Sequence, residues 1–480
     1  MAFQSNIMNT PYKNPKSSAP LCAIALFTCI FSAFPVFAQF AGGDGSPGNP
    51  YQISNKEQLA ACDDSMALYS NNFILINDID VTGDPAYPLF ARSGEAKMDG
   101  NPAWSPDLKT LGGTFDGGGF TILNKTNSLF DQIWLGYAGT PTIQNLTLSN
   151  VNITTHALVK YGGWGALAPS EYYASTGTRI FNVHVFGIIS NSSSYVGGLL
   201  GKSQGAYISN CTSSAKIYTT SSGGGLLGQL NGGTTTLSTA SGDVRTTGSY
   251  AGGLAGTMSG GLLYRCGASG NVTRIASEYS GGLVGAMTGA GTIRECYATG
   301  NVTYSAGEGG GLVGGSVGNV AMLIEDCYAT GDLSGPAFMS KSGGFMGEYG
   351  RSSTANHLIN RCYATGDVPM SDGNGFTGTG GGANGNFVSN SFAAGGTIGS
   401  ATYGFAHAGG GLVVGNCFWT NSATSDANAT KVANEEYFTR KGNPPLDTWD
   451  ADNVWYIRPG YYPRLRWTVT IRLGTLICIR

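Results

Sequence analysis

The chain has 480 residues and a formal charge of −3, from 26 basic and 29 acidic side chains, and only 11% of its residues are charged. So sparse and balanced a charge argues against a nucleic-acid interface, which needs a basic stripe, and against an acidic disordered tail. Its 76 glycines lack the every-third-residue spacing of collagen and lie between apolar residues, which suits the corners of a winding chain.

At the start, Lys13 and Lys16 precede an apolar run from Leu21 to Phe34, followed by Val36-Phe37-Ala38. This reads as an export signal over residues 1–38, cut after Ala38. The apolar run is short for a bilayer-spanning helix, and no other stretch is longer, so no integral span is expected after cleavage. Residues 39–71 form a leader and an N-terminal capping helix. Ser54 and Glu57 have the spacing of a capping box, and Leu59, Ala60, Cys62 and Met66 follow on a helical period, which places the helix from Ser54 to about Tyr69. Laid over the first coil, it would block strand addition to a raw end.

Residues 72–190 read as the first coils, with short strands at Phe73–Ile76, Ile79–Val81, Phe115–Ile122, Ile143–Leu148 and Val151–Ile153. The stretch from Tyr161 to Thr178 breaks the rhythm and is expected to be an inserted loop.

Residues 191–420 are a repeat array. Its mark is a glycine phrase beginning at Gly197, Gly224, Gly252, Gly281, Gly310 and Gly343, at steps of 27, 28, 29, 29 and 33 residues, with a degraded copy at Gly410. A period near thirty residues means a stacked array. A second anchor follows in each unit: Ile208-Ser-Asn-Cys211, Leu263-Tyr-Arg-Cys266, Ile293-Arg-Glu-Cys296, Ile324-Glu-Asp-Cys327 and Ile359-Asn-Arg-Cys362. Ser238 and Ser391 stand in the cysteine place in two copies, and Cys417 ends the row. Behind it runs Tyr-Ala-Thr-Gly-Asn/Asp-Val, clearest at Tyr297–Val302 and Tyr363–Val368. Phrase-to-cysteine spacing grows from 14 to 19 residues along the array, so insertions gather at one corner. The expected fold is all-β: a right-handed parallel β-helix, or solenoid, with an N-terminal helical cap and an aromatic C-terminal cap. Strict alternation cannot bury an isoleucine and a cysteine three residues apart without a bend or bulge.

The linked phrases, Gly-Gly-Leu-Val-Gly with Ile-x-x-Cys-Tyr-Ala-Thr-Gly, resemble the GLUG repeat of bacterial surface and secreted proteins. The flanks Asn49-Pro-Tyr-Gln-Ile53 and Gly460-Tyr-Tyr-Pro-Arg-Leu-Arg-Trp467 are similar to those such arrays carry. The resemblance implies a β-helix outside the cell, secreted or at the cell surface, with adhesion or display as its role. Some members carry an immunoglobulin-cleaving metallopeptidase domain. Here His156, His184, His357 and His407 are scattered and no His-Glu-x-x-His occurs.

Residues 421–467 read as a polar linker (Asn421–Asn434) and an aromatic C-terminal cap built on Trp449, Trp455, Tyr456, Tyr461, Tyr462 and Trp467. Residues 468–480 match no part of the pattern.

Three groups of side chains are candidates for chemistry. Cys266, Cys296, Cys327 and Cys362 should stack in one column. Disulfides between parallel side chains are geometrically poor, which favours a ladder of buried thiols, and no second ligand type joins them to make a metal site. Behind them Tyr297, Tyr328, Tyr363, Phe392 and Phe418 should face outward, with Thr299, Thr330 and Thr365 two residues on. Such columns stabilise any sheet, and they would also serve as a flat platform for sugar rings or a partner surface. Asp78, Asp80, Asp84 and Asp116, and Glu295, Glu325 and Asp326 beside Arg265, Arg294 and Arg361, would have to converge in one cleft to act as a hydrolase or lyase. By contrast Asp243, Asn271, Asn301, Asp332 and Asp367 occupy one repeated turn position, as structure does. The resulting expectation is an adhesin-like surface interaction or display module, without catalysis or cofactor. Its partners would be glycans or proteins of host or neighbouring cells. The rival is a carbohydrate-active enzyme, a polysaccharide lyase or glycoside hydrolase, on a pectin-lyase-like β-helix. The longer loops after Gly314 and Gly347 are further places to look.

Overall fold

The computed structural model describes residues 39–469, apart from 63–67, 84–88, 90–110, 135–138, 155–161, 173–176, 193, 277, 318–320, 337–340, 350–356, 379–385, 400–402, 408–411 and 427. The expected export signal, residues 470–480, Asp84, His156 and the loop segments 318–320 and 350–356 lie outside the described residues.

The chain winds as a parallel β-solenoid with very little helix. One coil shows the plan: strands Tyr207–Ser209, Thr212–Ser213 and Lys216–Thr219 lie in one large sheet, Ser222–Gly224 in a second and Leu227–Leu230 in a third. Each strand pairs in parallel with its copy in the next coil. Ile208 sits beside Thr235, then Leu263, Ile293, Ile324 and Ile359. All of these but Thr235 are apolar, and all are buried.

The isoleucine and cysteine are both buried because the residue before the cysteine is left-handed. Asn210, Leu237, Arg265, Glu295, Asp326, Arg361, Asn390 and Asn416 all have φ between 49° and 55°. One such residue bends the strand and shifts its alternation by one, so Ile293 and Cys296 both point inward. For a non-glycine residue this backbone costs roughly 1–2 kcal/mol, less for asparagine, and asparagine holds the site in the outer coils.

Glycine plays the opposite part. Among the described residues, the glycines of the repeated phrase have no positive φ; they are needed for closeness. A Cβ on Gly282 would lie 2.1 Å from the Gly311 carbonyl oxygen of the next coil, and one on Gly253 would lie 2.0 Å from that of Gly282. No side chain fits there.

The buried cysteines are thiols, and none of the described ones is in a disulfide. Cys296 Sγ donates to the Arg294 carbonyl at 3.2 Å and accepts the Cys266 N–H at 3.3 Å. Ser238 does the same work in its coil, accepting the Cys211 N–H at 3.1 Å and donating to Thr236 at 2.8 Å. The position therefore calls for a small side chain that both donates and accepts. Burial pushes the Cys211 and Cys417 thiols up to about 12.

Three boundaries differ from expectation. The helix α1 is Lys56–Ala61, capped by Asn55, whose side chain accepts the Gln58 N–H; Ser54 instead donates to the Gln58 side chain at 2.8 Å. The capping signature is thus used one residue later. The expected loop from Tyr161 to Thr178 contains coil corners: Gly163–Trp164 pairs with Tyr195–Val196, and Ala168 with Leu200. Gly165-Ala-Leu-Ala168 stands where the next coil carries Gly197-Gly-Leu-Leu200 of the glycine phrase. At the far end, the polar stretch after Asn421 does the capping. Asp426 accepts the N–H groups of Phe405 and Ala406 at 2.7 and 2.9 Å, and Thr430–Lys431 adds a last strand to Phe418–Trp419.

Candidate functional site

The outward column behind the cysteines forms as a stack of rings. Ring centroids lie 5.5 Å apart for Tyr297 and Tyr328, 5.1 Å for Tyr328 and Tyr363, and 4.9 Å for Tyr363 and Phe392, with planes within 13°. Their spacing follows the strand-to-strand distance of the sheet. Phe392 and Phe418 are paired in register as the next step.

The stack is not open to solvent. Residues 435–467, expected to close the end of the rod, fold back along its side as a strap. Phe438 stacks on Phe392 at 4.1 Å and Tyr437 lies 6.0 Å from Phe418. Trp449 and Trp455 pack on Tyr363, and Trp467 packs on Tyr297 at 5.6 Å. Tyr363 and Phe392 are consequently 2% and 0% exposed, and the Tyr363 hydroxyl donates to the Pro463 carbonyl at 2.7 Å. Burial raises the Tyr328 and Tyr363 pKa well above the ordinary phenol range. Thus Tyr328, Tyr363 and Phe392 face outward from the coil as expected, but the chain's own aromatics occupy the platform, and Tyr297 and Phe418 are half-buried at its two ends. A ligand would meet Tyr328, Tyr363 and Phe392 only by displacing the strap. Thr299 is exposed and Thr330 and Thr365 half-exposed.

The strap is registered on the left-handed residues. The indole N–H of Trp467 donates to the Glu295 carbonyl at 2.9 Å, that of Trp455 to the Asp326 carboxylate at 2.9 Å, and that of Trp449 to the Asn390 carbonyl at 2.8 Å. The same column carries ion pairs, Arg265 with Glu295 at 2.8 Å and Arg361 with Asp326 at 2.7 Å. These carboxylates are therefore tied to guanidinium groups along one edge of the strap. Sequence reasoning grouped the tryptophans as an end closure; their density between 449 and 467 was the available signal.

The other acids are also engaged. Asp78 accepts the Thr121 N–H at 2.8 Å, Asp80 that of Thr82 at 2.8 Å, and Asp116 that of Gly118 at 2.8 Å, with Gln144 on its second oxygen. The repeated turn acids form a ladder: Asn301 accepts the Asp332 N–H, Asp332 that of Asp367, and Asp367 that of Thr397, each at 2.9 Å. Among the described residues, no group of three or more His, Cys, Asp or Glu is arranged to hold a metal ion, and no helix is long and apolar enough to cross a membrane. His184 is bonded to Thr212 and Asn182. Burial lowers the pKa of His357 to about 4.

Compared with known proteins, residues 192–218 and 276–303 match the GLUG motif, so the chain carries GLUG repeats. It is 36% identical over 107 residues to the immunoglobulin A1 protease of Streptococcus sanguinis, 22% of this chain and 5% of that protein. It is 29% identical over 155 residues to halomucin of Haloquadratum walsbyi, 31% of this chain and 2% of that protein. The chain thus spans only a small part of the length of these relatives. A solved structure of a candidate immunoglobulin A1 protease from Bacteroides ovatus aligns over 90% of this chain and 96% of its own, at 17% identity and a TM-score of 0.37.

Proposed function

We propose that this chain is an exported, adhesin-like surface module whose solenoid displays outer faces to glycans or to proteins of other cells. The observation that carries the reading is the placement of its acids. Asp80, Asp116, Asp332 and Asp367 serve as acceptors for backbone N–H groups, and Glu295 and Asp326 are held in ion pairs beside the strap. A hydrolase or lyase needs carboxylates free to face a substrate; here Asp332 and Asp367 are rungs between coils, and Asp80 and Asp116 close their own turns. The likeness to segments of halomucin and an immunoglobulin A1 protease supports a place at or outside the cell surface.

Two assays test this. Binding of the purified protein to intact cells and immobilised glycans should be saturable. Incubation with acidic and neutral polysaccharides should leave their length unchanged. Depolymerisation abolished by substituting one Asp or Glu would establish the carbohydrate-active enzyme instead.

A further inference from the structure

Over six successive coils the outward column on the third strand of the large sheet is interrupted at one place. In register it runs Ser190, Tyr218, Arg245, Thr273, Thr303 and Ser334. Of these six steps, short hydroxyl side chains occupy four, and the two adjacent exceptions are Tyr218 and Arg245. A copied position reports structure, whereas a local break in a copied position is where selection for a ligand would act.

The break lies in a groove of about 240 Å³ lined by Thr154, Ser190, Ser192, Thr220 and Thr247 with Tyr218 and Arg245. Tyr218 is 38% exposed although it projects from a packed sheet. Arg245 is exposed, and among the described residues no carboxylate pairs with it. Lys216 and Asp243 lie two residues before Tyr218 and Arg245 on their own strands, and both are exposed. Asp243 is itself engaged, accepting the Asn271 N–H at 3.0 Å.

An aromatic face beside a planar cation, rimmed by hydroxyls, has the chemistry of a carboxylated sugar site. The ring supplies a flat apolar surface for the C–H face of a pyranose. The guanidinium offers a forked donor pair that matches a carboxylate. The hydroxyls both donate and accept, as sugar hydroxyls require. We propose that Tyr218 and Arg245 form a binding site for an acidic glycan, with the ring under the sugar and Arg245 on its carboxylate. This deepens the surface-module reading above and rests on it.

The probes are trigalacturonate and 3′-sialyllactose, which carry the carboxylate on different sugars, with neutral maltotriose and lactose as controls, titrated into the full chain by calorimetry. At least one acidic probe should bind at least 10-fold more tightly than its neutral control. Arg245→Gln should abolish that preference, Tyr218→Ala should weaken binding by at least 10-fold, and both variants should melt with the parent because both side chains are exposed. Equal affinity for acidic and neutral probes, or acidic binding that survives both substitutions, overturns the site. Cell binding by the same two variants separates the two ideas. If the parent binds cells and the variants bind equally, this site is wrong and the surface-module reading stands; if the parent binds neither cells nor glycans, both fall.

Discussion

Trp455 and Asp326 lie 129 residues apart in sequence, and an indole N–H 2.9 Å from a carboxylate oxygen joins them. The bond is buried and fastens the strap to the middle of the aromatic stack. Trp455→Phe should keep most of the packing and lose the bond, costing about 1–2 kcal/mol. Trp455→Ala should cost about 3–5 kcal/mol. Urea unfolding would read both; equal stability of the phenylalanine variant and the parent would show that the bond contributes nothing.

The cysteine column predicts an unusual order of tolerance. Cys296→Ser should cost no more than about 1 kcal/mol, because Ser238 already fills the same role, whereas Cys296→Ala leaves the Cys266 N–H unpaired and should cost about 1–3 kcal/mol. The buried thiols at 211, 266, 296, 327, 362 and 417 should resist an aqueous thiol reagent until denaturant is added, and reductant should not change the melting temperature. Rapid labelling of the native protein at these positions would contradict the packing.

Leu237 is 44% exposed with φ 49°, at a place where flanking coils use asparagine or charged residues. Leu237→Asn should stabilise the protein by about 0.5–1 kcal/mol, since asparagine tolerates the left-handed region better. A lower melting temperature would argue against that account.

Glu171 is fully buried, with one oxygen accepting the Gln204 N–H at 2.6 Å, and burial raises its pKa to about 7. The folded state therefore binds this proton more tightly than the unfolded chain. Stability from this group is full below about pH 4.5, falls as the pH rises towards 7, and levels off above it, a total of about 3 kcal/mol. Glu171→Gln should flatten that part of the stability profile. An unchanged slope between pH 4.5 and 7 would show that the carboxyl is solvated.

The period, the stacked anchor and the outward direction of Tyr297 to Phe418 were all legible in the chain, because copying repeats each local signal. What resisted reading came from single events. Gly165-Ala-Leu-Ala168 is a coil corner without the Gly-Gly-Leu wording, so pattern alone made it a loop. Glycine suggested the corners of a winding chain, without showing that Gly282 serves a 2.1 Å approach while Glu295 and Asp326 carry the positive φ. Sequence also showed that Tyr363 faces out without showing what lies on it. That depends on a segment whose contact is 100 residues away, and no local period encodes such a pairing. Tyr218 and Arg245 went unnoticed for the converse reason: a departure from a column shows only once the column is aligned.

The strap also acts as a ruler. Its fixed length reaches from Phe418 back to Tyr297, and its tryptophans meet particular coils at Glu295, Asp326 and Asn390. Deleting or duplicating a coil between these points would leave one indole facing the wrong rung. Among the described residues no indole ties the strap to a coil before Glu295, so the array could lengthen or shorten there by whole units while its last stretch keeps a set copy number.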